Sequence, residues 1–355
     1  MNNLQRIMEK LDEGGRKALL ISDGISRLFA FGMETSAGMA LITSQRAWFM
    51  VDFRYAEAAR AALGETELIV TSRERNYYEI INGLCADNGI GTLLFEDHRV
   101  TAWEAGQMKQ KLRARLEPAG DLISRLRVCK SERELEMHRM AQRVAERALE
   151  QTLPLIVPGR VDIEIKAELE YLIAKQGSTV SFETIVAVGK NSSKPHAKAD
   201  GTAVAEGDFV TIDMGAKFEG YCSDMTRTFA VGHATGEMKN IYAIVLKAQE
   251  AALKTAKAGV AYAEVDRAAR DIITEAGYGA NFGHGLGHGV GLEVHEDLYA
   301  SPADGGLKAG SILTFEPGIY LEGRFGVRIE DYGAITAAGV DNFTRFPQKL
   351  AVLGG

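Results

Sequence analysis

Asp213, Asp224, Glu316 and Glu330 stand in segments that are otherwise apolar or β-prone, and His288 lies in a glycine-punctuated run, all within the C-terminal half of the chain. Gathered into one pocket, four carboxylates would carry a charge of about −4, which a folded interior tolerates only when it is compensated. Two divalent cations supply that compensation. Paired metals roughly 3.5–4 Å apart also make a potent nucleophile from water at neutral pH and stabilise a hydrolytic transition state. The quintet therefore predicts a fold that brings these five side chains around two metal ions, and hydrolysis is the first chemistry it suggests.

A chain of 355 residues exceeds the usual size of one hydrophobic core, so two domains are expected. With a net charge of −7 it lacks the basic balance that nucleic acid or an anionic membrane rewards, and a small neutral or zwitterionic substrate fits better. Cys85, Cys129 and Cys222 lie far apart with no CxxC, which suggests neither a disulfide framework nor a thiolate zinc site. The N-terminal MNNLQRIMEKLDEGGRK alternates charges without an apolar core, and no run of about 18 apolar residues occurs in the chain. A cytoplasmic protein with no membrane partner is expected.

The first third alternates strand-like runs (19–21, 38–43, 48–51, 92–95) with helical stretches at 77–85 and 103–116, the pattern of an α/β domain. The pattern breaks over 118–130, and Ser131 with Glu134 forms a capping box that opens a helix carrying Met137, Ala141, Val144 and Ala148. This places the domains at 1–127 and 128–355. After Gly159, Ile165, Leu169, Leu172 and Ile173 mark a second helix that Gly177 stops. Further helices fit 239–256 and 263–276, and strands fit 209–214, 221–229, 312–317 and 327–335. The second domain reads as α+β, an antiparallel sheet covered by helices.

In TIDMGAKFEGYCSDMTRTF, two strand-like runs flank the turn-prone 217–220, so a hairpin brings Asp213 and Asp224 together. Aspartate is disfavoured within strands, which invites a reason for both. GHGLGHGVGLEVHE holds His284, His288 and His295, three of the seven histidines. The i, i+4 spacing of His284 and His288 imitates a helical zinc pair, but the intervening and flanking glycines argue against a helix. They suit backbone that closely approaches a substrate. His288 reads as a ligand and the other two as groups lining the site. FEPGIY and RIED carry Glu316 and Glu330 in apolar surroundings, where an unpaired carboxylate is costly. Arg328 and Asp331 read as supports behind the ligands or as a surface pair. His196, in KNSSKPHAKAD, carries little signal by spacing alone.

These segments, in this order, resemble the pita-bread metallopeptidases, specifically the aminopeptidase P and prolidase branch. SFETIVAVGKNSSKPHAKAD is similar to the family's first histidine segment, and the other three segments are similar to its two-aspartate hairpin, its second histidine segment and its two-glutamate strands. LISDGISRLFAFGM and VDFRYAEAA resemble the creatinase-like N-terminal domain of this branch. The resemblance implies that Asp213, Asp224, His288, Glu316 and Glu330 bind two metals, with Asp224 and Glu330 bridging. It implies that an activated hydroxide attacks the scissile carbonyl while Glu316 handles the proton, His295 stabilises the oxyanion, and His196 binds substrate and the product amine. His284 joins His196 and His295 in substrate binding. The oxygen-rich ligand set and the resemblance point to Mn²⁺ or Co²⁺, with Fe²⁺ or Zn²⁺ as alternatives.

The substrates implied are proline-containing peptides, and the assembly implied is a homodimer in which the N-terminal domain shapes the substrate entrance. Methionine aminopeptidases share the five ligands but usually lack this N-terminal domain, and creatinase shares the fold without the ligands. One departure concerns substrate length: Tyr299 occupies a position where some dipeptidases have arginine, the partner of a dipeptide's free carboxylate. The expectation is therefore an Xaa-Pro aminopeptidase. Xaa-Pro dipeptidase (prolidase) is the alternative, and a catalytically inactive binding module is a lesser one.

Overall fold

The computed structural model describes residues 2–11, 16–64 and 66–354, so part of the N-terminal run read above, 12–15, lies outside the described residues. The chain divides into two compact units, Met1–Arg127 and Val128–Gly355.

The first unit holds six strands, β1 (Lys17–Ile21), β2 (Met39–Ile42), β3 (Ala47–Val51), β4 (Glu67–Val70), β5 (Thr92–Phe95) and β6 (Arg115–Pro118), in one sheet of order β4-β3-β2-β1-β5-β6. The pairs β1/β2 and β2/β3 are antiparallel and the rest parallel. Helices α1 (Asn3–Met8), α2 (Gly24–Phe31), α3 (Phe53–Ala62), α4 (Tyr77–Asp87), α5 (Ala102–Lys111) and α6 (Leu122–Val128) complete it. After Lys17 the apolar run of β1 suits a strand covered on both faces, and Ala18, Leu19, Leu20 and Ile21 are buried. The helix expected over 103–116 stops at Lys111. Leu112 already has extended backbone, and Arg115–Pro118 pairs with β5 instead. The spacing of Leu112 and Leu116 serves a helix and a strand equally, so periodicity alone could not separate them.

The second unit contains α7 (Glu132–Thr152), α8 (Asp162–Lys175), β7 (Thr179–Val180), β8 (Ile185–Val188), β9 (Phe209–Met214), β10 (Ala216–Phe218), β11 (Tyr221–Cys222), β12 (Met225–Val231), α9 (Gly236–Thr255) and α10 (Tyr262–Glu275). It continues through β13 (Ile312–Phe315), β14 (Gly318–Leu321), β15 (Phe325–Arg328), β16 (Asp331–Ile335), β17 (Val340–Asn342) and β18 (Val352–Leu353). The main sheet, β18-β12-β9-β8, is antiparallel except for the β12/β18 edge. A second ladder, β13-β16-β17, is antiparallel throughout.

Side chains alternate along β9: Val210, Ile212 and Met214 pack with Ile165, Leu169 and Leu172 of α8 and with Ala145 and Leu149 of α7. Thr211 and Asp213 are thereby turned to the other face. Along β12 the same alternation gives Met225, Phe229 and Val231 to that core and leaves Thr226 and Thr228 beside Thr211 and Asp213. Helices α9 and α10 pack on the second ladder through Ile241, Val245, Val265, Ala269, Leu313, Phe315 and Ile335. Helices thus cover antiparallel sheets, and two threonine- and acid-bearing faces are left for chemistry.

The capping box of Ser131 and Glu134 opens α7, but its buried face is more polar than the apolar stripe suggests. Met137 is half-buried, whereas His138 and Gln142 have no exposure at all. His138 Nδ1 donates to the Cys222 carbonyl at 2.8 Å, and the ring is packed among Tyr221, Tyr332 and Phe343. Burial, reinforced by nearby Lys130, pushes its imidazole down to about 3. A histidine that is harder to protonate folded than unfolded gives its full stabilisation above the unfolded pKa of about 6.5, and that stabilisation is lost as the pH falls from there towards 3. We expect His138→Asn, which keeps a donor for Cys222 but cannot titrate, to flatten the fall of the urea midpoint between pH 6.5 and 4 while lowering stability at pH 7 by about 1–3 kcal/mol for the lost ring. A variant with the wild-type pH slope would remove His138 as the source.

Candidate metal centre

The five expected ligands converge on one cavity of about 830 Å³. Three of them, Asp224, Glu316 and Glu330, stand at or beside a break in a ladder. Glu219 and Gly220, with φ of 47° and 86°, form the two-residue turn between β10 and β11. The hairpin continues into β9 and β12, where Asp213 pairs with Thr226 and Asp224 falls in the gap between β11 and β12. The continuous strand expected over 221–229 is therefore interrupted beside its acid. Likewise 327–335 is split at Ile329 and Glu330, where Glu330 bridges to Thr226, and β13 ends at Phe315, one residue before Glu316. Pro317 cannot donate to a ladder, which limits that strand.

His288 Nε2 lies 3.4 Å from Glu316 Oε1 and 3.6 Å from Asp224 Oδ2. Ligand atoms of Asp224, His288 and Glu330 all lie within 4.8 Å of one another. His288 Nδ1 donates to the Gly289 carbonyl at 3.0 Å, which leaves the Nε2 lone pair facing the acids. Thr226 Oγ1 donates to Glu330 at 2.7 Å, and Thr314 Oγ1 to Glu316 at 3.2 Å. Arg328 Nη2 donates to Asp213 Oδ2 at 2.6 Å, while Asp213 Oδ1 is buried without a hydrogen-bond partner.

Burial, then repulsion from Glu330, Asp213 and Glu316, holds the Asp224 carboxyl well above the usual range. Burial followed by Glu316 and Asp213 does the same to Glu330, and burial pushes Glu316 up to about 7. Burial lowers His288 to about 4, so its imidazole is neutral and ready to ligate. A buried set of repelling acids, a neutral imidazole and an orphaned carboxylate oxygen fits divalent cations. Chemically, the arrangement suits metal-assisted hydrolysis.

The remaining expected residues also border the cavity. His196 and His295 are exposed on its wall and His284 is half-buried, with the His295 ring 4.2 Å from that of His288. Gly283, Gly285 and Gly287 line it. Gly287 and Gly289 have a steric reason, since a Cβ there would come within 2.1 Å of the Thr314 carbonyl and 2.5 Å of the Glu296 carbonyl. Asp331 is no surface residue: it is 1% exposed and accepts from Arg227 at 2.7 Å, and Arg227 also donates to the carbonyls of Thr226 and Glu330.

Several contributors escaped the sequence reading. Tyr320 donates to His284 Nε2 and accepts from Arg328 Nη1, both at 3.0 Å, completing a chain from His284 to Asp213. On α10, Asp266 accepts from Leu286 N at 2.9 Å, and Arg270 holds the carbonyls of Phe282 and His284 at 2.9 and 2.7 Å. The i, i+4 spacing of Asp266 and Arg270 was the only trace of this support.

Residues 136–337 match the family described as Metallopeptidase family M24, and residues 3–129 match the Creatinase/Prolidase N-terminal domain. The structure of an Xaa-Pro dipeptidase from Bacillus anthracis is similar at a TM-score of 0.92 and 38% identity, covering 99% of each chain. That of an X-Pro aminopeptidase from Thermotoga maritima MSB8 gives 0.92 and 36%, covering 98% of this chain and 100% of the other. An Xaa-Pro dipeptidase of Pyrococcus horikoshii is 35% identical over 350 residues, 98% of each chain. With a family match over more than half of its length and relatives similar almost end to end, this chain belongs to the pita-bread metallopeptidases of family M24 and is a metallo-exopeptidase with a creatinase-like N-terminal domain.

Proposed function

We propose that the chain hydrolyses the peptide bond before proline in short peptides, with Xaa-Pro dipeptides preferred, and that its catalytic unit is 128–355. The observation that carries this reading is the convergence of Asp213, Asp224, His288, Glu316 and Glu330 on a cavity that His196, His284 and His295 also line. Held by those five residues, two divalent cations would supply Lewis acidity and an activated water nucleophile, and the oxygen-rich donor set favours Mn²⁺ or Co²⁺.

The protein's own groups do the rest. Glu316 takes the proton of the attacking water and returns it to the leaving amine. His295, exposed beside His288, donates to the developing oxyanion. His196 binds the substrate and the product amine, while His284, oriented by Tyr320, adds a further substrate contact. Phe182, Ile185, Pro195 and Val294 give the cavity an apolar wall suited to a pyrrolidine ring.

Tyr299 does not line this cavity, so the lack of an arginine there says little about a dipeptide's carboxylate. Two of the three similar proteins described above are named as dipeptidases, which favours the dipeptidase reading over the aminopeptidase one. A cytoplasmic location and a homodimer belong to the same reading. The first is supported by three cysteines that form no disulfide and by the absence, among the described residues, of a helix long and apolar enough to cross a membrane. The second rests on the family resemblance. With Mn²⁺ supplied, kcat/KM for Ala-Pro is expected to exceed that for Ala-Pro-Ala. The opposite preference would restore the aminopeptidase reading, and failure to cleave either would overturn both.

A further inference from the structure

Behind the glycine-rich segment lies an ion pair that the chemistry above does not use. Lys130 Nζ is 3.1 Å from Glu296 Oε2, and the two side chains are only 4% and 6% exposed. Desolvating two charges offsets most of their attraction, so an apolar pair would serve stability as well. The placement of this pair points instead to the cavity.

Glu296 directly follows His295, and Gly289 directly follows His288. Glu296 and Gly289 exchange main-chain hydrogen bonds of 3.1 and 2.8 Å, which tie 289–296 into a closed loop with the two histidine rings side by side at one end. His295 lines the cavity, while the Glu296 side chain, 6% exposed, is turned into the interior. There its carboxylate rests against Gly291, where a Cβ would come within 2.1 Å of Oε1, and it accepts from the Glu293 N–H at 3.4 Å. Lys130 is fixed in turn. Its N–H donates to the Gly310 carbonyl at 2.9 Å, and the next residue, Ser131, caps α7.

We propose that the buried Lys130–Glu296 pair anchors the loop that carries His295, making Lys130 and Glu296 positioning residues for the hydrolysis. The proposal rests on the reading above that His295 meets the oxyanion. Removing one charge deprives the other, still buried, of this ion-pair partner. Residue 296 then relaxes out of the interior and turns His295 away from the reacting carbonyl.

The test uses Lys130→Met and Glu296→Gln in the full chain, loaded with Mn²⁺ and assayed on Ala-Pro well below each melting transition. Each is expected to lower kcat about ten- to hundredfold, the scale of a displacement of about 1 Å, with KM and bound Mn²⁺ little changed. Combined with His295→Ala, either should cost nothing beyond His295→Ala alone, because the anchor acts through that ring. Losses that multiply would overturn the anchor. If Lys130→Met does not fold, the isosteric Glu296→Gln carries the same comparison. The His295 ring resonances of the metal-free protein give a readout independent of turnover: they should shift in the anchor variants, and unmoved resonances would overturn the proposal. Wild-type protein inactive on every Xaa-Pro peptide would overturn the functional reading instead.

Discussion

Glu316→Gln is expected to leave a folded protein whose kcat on Ala-Pro has fallen by about 10²–10⁴-fold, the usual contribution of a positioned acid–base group. The backbone should tolerate the change. Glu316 N–H donates to the Leu286 carbonyl at 2.9 Å whatever the side chain, and the amide matches the carboxylate in size. Chemistry is what it removes. An amide cannot take a proton from the attacking water, and as a ligand it is weaker than the carboxylate whose Oε1 lies 3.4 Å from His288 Nε2. Turnover at saturating Mn²⁺, with a melting curve on the same sample, checks both halves, and full activity would eliminate Glu316 from the mechanism.

Chelation should abolish hydrolysis and lower the melting temperature without unfolding the protein, and Mn²⁺ or Co²⁺ should restore both. A cation that binds only the folded chain, at a free concentration of about 100 Kd, adds about 2.7 kcal/mol per site. For a unit of this size, roughly 2–4 °C per kcal/mol translates two sites into a rise of about 10–20 °C. The size of the effect follows from the acids themselves. Asp224 and Glu330 are buried side by side with Glu316, and a divalent charge relieves a repulsion that their protein surroundings relieve only in part. Calorimetry with defined metals measures it, and a melting temperature indifferent to metal would contradict the assignment of these residues as ligands.

The four acids proposed as ligands were legible in the sequence because each is a polar residue where apolar patterning predicts none, and His288 because three of the seven histidines crowd one glycine-rich run. Asp213 and Glu330 are conspicuous against Phe209–Met214 and Val327–Ile335 for that reason. Their exact setting was not legible. Periodicity runs strands straight through Asp224 and Glu330, whereas the ladders break beside both and so take the two carboxylates off the regular alternation. Tyr320 and Thr226 were invisible for the opposite reason: both suit strands perfectly well, and only three-dimensional neighbours reveal their hydroxyls as hydrogen-bonding partners of Arg328, His284 and Glu330. Lys130 and Glu296, 166 residues apart, carry no local signal of their pairing at all.

The bridge between Thr226 and Glu330 joins the ladder that carries the aspartates to the ladder that carries the glutamates. Arg227 reinforces that seam from within, donating to the Glu330 carbonyl at 2.7 Å and to Asp331 at 2.7 Å. The seam is therefore stitched by neutral and ionic contacts that owe nothing to a cation, so the scaffold can be assembled during synthesis before any metal is captured. Metal loading becomes a late, reversible tightening of a finished joint. Apo protein should accordingly keep the bridge between the two ladders and take up cation without refolding.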